Sequence, residues 1–216
     1  MPASFAQWVA AVFDQPASGP EWFWASDFHE RWESLGLTDT LTVRYLTQLF
    51  REPGCLAAYS LDQVAQAIWF LIGEASPAQP AHALFNRELS FADRAACLRA
   101  IADFFRLFVA PAAPGPARDD EDPFHIACYM WWDVFPTWGG PGGEPELQRV
   151  CLDVMRDVLA VPSELCQLSA LHGLNHWHLH HAPEVERIVD AFLARAPDAT
   201  PRIRDYAAIA RSGCAQ

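Results

Sequence analysis

Apolar residues recur at helical spacing along almost the whole chain. Phe5, Trp8, Val9, Val12 and Phe13 form one face behind Ser4, a residue suited to capping a first helix. Pro20 opens a second, with Trp24, Phe28, Trp32 and Leu35 along one side, the spacing of a buried stripe. A third helix spans 39–52 and stops at Pro53-Gly54. Ser60 and Gln63 then make a capping-box pattern ahead of 64–72, which is apolar nearly all round. Such a helix has neighbours on more than one side. Further helices are predicted at 80–87, 90–109, 124–135, 145–160, 163–178, 183–194 and 201–212. No segment alternates with a period of two between turn signals. The pattern therefore predicts an all-α chain of about nine to eleven helices, folded as one domain over 1–216.

Two segments interrupt this rhythm. Residues 110–123 are rich in Pro and Ala and then acidic, which predicts a long loop. The acidic run at 119–122 lacks the ligand spacing of a calcium loop and reads as a solvated turn. The Gly-Pro loop at 139–143 lacks the GxGxxG spacing and follows no strand, so it predicts no phosphate cradle.

The segment 60–71 aligns without gaps on 163–174, and each copy follows an amphipathic helix. Helix pairs repeating at about 35–45 residues mark an α-solenoid. On these residues, and on 169–177, 185–193 and 206–213, the chain resembles the HEAT/armadillo-like helical-repeat class, in its uncharacterised bacterial form. The resemblance implies a solenoid of antiparallel helix pairs, a fold that mostly serves as an interaction surface.

Charge narrows the function. There are 27 acidic residues against 15 cations, a formal net charge of −12. Every cation is Arg, which excludes a Schiff-base lysine, a P-loop lysine and a Ser-Lys dyad. The acidic balance argues against nucleic acid and suits a basic protein partner. The cysteines at 55, 97, 128, 151, 166 and 214 include no CxxC pair and read as free thiols. The start of the chain lacks a signal-peptide pattern, and the apolar run 67–72 is too short to span a bilayer. The expectation is a cytoplasmic protein without membrane contact.

Five histidines fall within 172–181. On a wheel of about 100° per residue, His172, His176 and His180 share one face, while Ala170, Leu171, Leu174 and Trp177 lie opposite. His178 and His181 fall on the apolar side, which predicts a fraying helix before Pro183. His172 and His176, at i and i+4, form the useful pair, with His180 an optional third. Gly173 stands where a zincin would place Glu. Missing ligands are sought in 124–133, where His125, Tyr129, Trp132 and Asp133 share a helical face. A cleft holding His125, Asp133, His172 and His176 has the donor set for zinc or another transition metal. Ser169 lacks a nucleophile elbow.

Three functional expectations follow. The first is an interaction module whose acidic surface binds a basic protein, as an immunity or antitoxin-type protein does, with no cofactor. The second is a metal-dependent hydrolase using His172, His176 and Asp133. The third is a structural subunit of a larger assembly.

Overall fold

A computed structural model describes residues 1–18, 21–73, 76–117, 122–137 and 139–214. Among them no strand occurs. The helices are α1 (Phe5–Phe13), α2 (Phe28–Ser34), α3 (Asp39–Arg51), α4 (Leu61–Ile72), α5 (Phe91–Phe104), α6 (Ala110–Ala112), α7 (Pro123–Tyr129), α8 (Trp131–Val134), α9 (Pro145–Leu159), α10 (Glu164–Arg195) and α11 (Pro201–Ser212). Short 3₁₀ turns cover Trp22–Trp24, Pro53–Ala58 and Pro80–Phe85. No helix among the described residues is long and apolar enough to cross a membrane.

Local chemistry sets the helix starts. Ser60 Oγ accepts from the Gln63 amide at 3.2 Å while Gln63 Oε1 accepts from the Ser60 amide at 3.0 Å, a complete capping box. Ser4 and Gln7 repeat it at α1. Asp122 caps α7 by accepting from the amides of Phe124 and His125 at 3.0 and 3.3 Å. The acidic segment thus ends in a cap, and 110–112 are helical rather than loop. The remaining acidic residues, 119–121, lie outside the described residues, as does Pro20.

Several expected helices are shaped differently: 80–87 is the 3₁₀ turn Pro80–Phe85, and 90–109 passes from α5 into a π-helical stretch at Phe105–Val109. The expected second helix is a 3₁₀ turn followed by α2, because Ala25 is extended (ψ 146) and breaks the run. The expected helix 124–135 breaks at Met130 (ψ 0), giving α7 and α8. The expected helices 163–178 and 183–194 are both present within α10, divided by a non-helical kink at His181 (φ −136, ψ 37). Pro183 has no amide to donate and its ring crowds the preceding turn, which explains a bend there. His181 Nε2 shares a hydrogen bond of 3.0 Å with the Gly139 carbonyl, which holds the kink against the 139–143 loop.

The core is continuous and aromatic. Trp8, Trp22, Trp131, Trp132 and Trp177 are buried. α10 packs on α7, α8, α9 and α11, while α3 packs on α5, α5 on α9, and α4 on α7. The face of α10 bearing Ala170, Leu171, Leu174 and Trp177 is buried, as its periodicity requires.

Gly173 is a point of close approach in this packing. A Cβ there would meet Trp132 Cβ and Cγ at 2.6 Å and Met155 Sδ at 2.8 Å. Glycine weakens a helix interior by about 1 kcal/mol relative to alanine, so packing is the reason for it here. Gly173→Ala should lower stability by about 1–3 kcal/mol despite the better helix propensity, because Trp132 and Met155 must both move. Urea denaturation of the two proteins measures it.

Candidate metal centre

His172 and His176 project from one face of α10, one turn apart, and meet α8 and α11. α8 brings Asp133, whose neighbour Trp132 is the side chain packed against Gly173. His176 Nε2 lies 3.2 Å from Asp133 Oδ1 and 3.3 Å from His172 Nε2. The three donor atoms all fall within 4.8 Å of one another, and each side chain is half-buried. Among the described residues this is the one set of three such groups that converges.

Of the expected ligands, the structure brings together His172, His176 and Asp133 and leaves His125 out. His125 is buried on α7, one turn before Tyr129, and the break at Met130 takes it out of phase with Asp133. His180 is exposed beside Gly140 and is not in the set. His178 faces Glu186 at 3.7 Å, and His181 stacks on Trp177 at 5.4 Å. Ser169 is fully buried and donates to the Cys128 carbonyl at 2.6 Å, so it clamps α10 to α7. The buried thiols of Cys97 and Cys151 are each pushed up to about 12 by burial, which removes them as nucleophiles at neutral pH.

Two tyrosines stand behind the histidines. His172 Nδ1 and Tyr206 Oη share a hydrogen bond of 2.8 Å, and Tyr206 Oη and Tyr129 Oη another of 2.6 Å. The Tyr129 ring also lies against the His172 ring at 4.3 Å. Burial, and then the Tyr129 hydroxyl, push the Tyr206 phenol well up, so it stays protonated. Two hydrogen-bond directions satisfy these contacts; in the one that leaves the His172 Nε2 lone pair facing His176, His172 Nδ1–H donates to Tyr206 and Tyr206 donates to Tyr129. Tyr206 lies 34 residues from His172 in the chain, and no local pattern announces it.

The separations fit a metal ion. A tetrahedral ion with ligand bonds of about 2.0–2.1 Å spaces its donors about 3.3–3.4 Å apart. Two of the three donor pairs are at 3.2 and 3.3 Å. Asp133 also lines a cavity of ≈ 650 Å³ between the Trp22–Trp24 turn and the end of α4. Comparison with known proteins matches the chain to no family model, no curated protein and no solved structure.

Burial pushes the His172 imidazole down from 6.5 to about 4, aided by His176 and opposed by Asp133. The unfolded chain takes up a proton at this residue below pH 6.5, whereas the folded chain does so only near pH 4. Stability from this group is therefore complete above pH 6.5 and falls as the pH drops towards 4, by up to about 3 kcal/mol. Urea titrations of metal-free protein across that window should show the decline, and His172→Gln should flatten it.

Proposed function

We propose that this protein binds one divalent transition-metal ion, zinc foremost, through His172 Nε2, His176 Nε2 and Asp133 Oδ1. The observation that carries this reading is the spacing of 3.2 and 3.3 Å around His176 Nε2, close to the edges of a tetrahedral site. The depressed pKa of His172 supports it, because a neutral imidazole gives up no proton to coordinate at pH 7. Three protein ligands leave one position open, which is the arrangement of catalytic zinc sites rather than structural ones. The cavity beside Asp133 offers that position a route from solvent.

Hydrolysis is the reaction class such a centre favours. A bound ion lowers the pKa of a water to about 7 and polarises a carbonyl or phosphoryl oxygen. The chain's own residues supply the rest. Tyr206 holds the ring plane of His172, and Tyr129 holds Tyr206. Trp132, fully buried, closes the rear of α8 to water.

The charge of −12 favours a second role, an acidic helical-repeat surface for a basic protein. Two rows of helices support the repeat reading, α3, α5 and α9 in one and α4, α7 and α10 in the other, although across the rows only α9 packs closely on the helix that follows it. The similar segments 60–71 and 163–174 both belong to the second row.

Tag-free protein stripped with chelator should take up one equivalent of zinc by isothermal titration. His176→Ala or Asp133→Ala should weaken that binding at least a hundredfold, and Tyr206→Phe about tenfold. His180→Ala should leave it unchanged. Sub-stoichiometric uptake, or uptake indifferent to both ligand variants, would remove the metal centre.

A further inference from the structure

We infer that the cavity beside Asp133 is a binding site for a small organic cation, a molecule that presents a primary or quaternary ammonium group. The inference goes beyond the metal centre and rests on the cavity's own lining. At ≈ 650 Å³ it falls in the range of small-molecule sites, about 300–1,000 Å³. Phe23, Trp24 and Trp69 supply aromatic walls, and Glu21 and Asp133 supply carboxylates.

The sign of the charge is set by these residues. Among the described lining residues both titratable side chains are carboxylates and none is Arg. An anion would face two carboxylates, and a neutral ligand gains no charge attraction from them. A cation meets neither obstacle. A divalent ion on Asp133 would repel a cationic ligand here, so the cation site belongs to the metal-free protein.

The aromatic walls fit the same ligand. Trp24 is 57 % exposed, whereas Trp22, on the same turn, is 7 % exposed and packed into the core. Buried Phe23 props the Trp24 ring at 5.7 Å with a 57° tilt. Trp69 is only half-buried although Ile68 and Phe70 on either side of it are buried. The fold therefore leaves two indoles at the cavity instead of burying them. Indole is the aromatic face that attracts ammonium most strongly.

Calorimetric titration of the metal-free full-length protein tests this. The probes are choline and n-butylammonium, each set against its neutral counterpart, 3,3-dimethylbutan-1-ol and n-butanol. At least one cation should bind saturably, with its neutral counterpart at least tenfold weaker. Trp24→Ala and Glu21→Gln should each weaken the cation about tenfold. Both residues are exposed, so the thermal midpoint should stay unchanged. Neutral probes that bind as well as the cations overturn the inference. So does the absence of saturable cation binding, or binding untouched by both variants. Because no metal is present, a failure here leaves the zinc reading standing, and a failure of zinc uptake leaves this one standing.

Discussion

Everything at the centre depends on how closely α10 approaches α8, and that approach exists because residue 173 has no side chain. Trp132 occupies the space a Cβ would need, 2.6 Å from its ideal position, with Met155 on the other flank. Seating Trp132 there places the next residue, Asp133, over the following turn of α10, where His176 meets it. A larger residue at 173 would push α8 away and separate the carboxylate from both imidazoles. The glycine that breaks the likeness to a zincin is thus the residue that lets a carboxylate arrive from another helix.

Electrostatics and burial then act in sequence. The half-buried seam disfavours a charged imidazole, so His172 stays neutral and keeps a lone pair available. The Tyr206–Tyr129 pair, supplied by α11 and α7, engages the ring nitrogen opposite the one that faces His176. Asp133 sits at the boundary between this seam and the aromatic cavity. One carboxylate therefore couples two environments: a polar cluster suited to an inorganic cation, and an aromatic, acidic pocket suited to an organic one. The overall charge of −12 favours the approach of either.

Much of the helical framework was legible along the chain, because periodicity and caps are local. Ser60 with Gln63, Pro145, Pro201 and the stop at Pro53-Gly54 mark ends that the structure keeps to within a residue or so. The pairing of His172 with His176 was equally legible, since one helical turn separates them. Asp133 could be named because helical spacing set it on one face with His125, Tyr129 and Trp132. His125 was named by the same logic and is excluded, because the wheel assumed a straight helix through Met130. The break there is small, but it divides the face that the wheel drew as one.

The sequence by itself determined the all-helical class, most helix boundaries, and the two imidazoles on one face, all of which follow from interactions within about four residues. Only the tertiary structure decided which partners those imidazoles meet. Asp133 reaches His176 across 43 residues of chain and Tyr206 reaches His172 across 34, because buried packing at Gly173 and along α11 brings them there. The cavity wall of Glu21, Trp24 and Trp69 was hidden for the same reason. The pattern of Trp24 with Phe28 and Trp32 reads as a core stripe until Ala25 turns the chain and leaves Trp24 outside. Local propensity fixes where helices begin and end; the shape left when bulky side chains pack decides which polar groups converge.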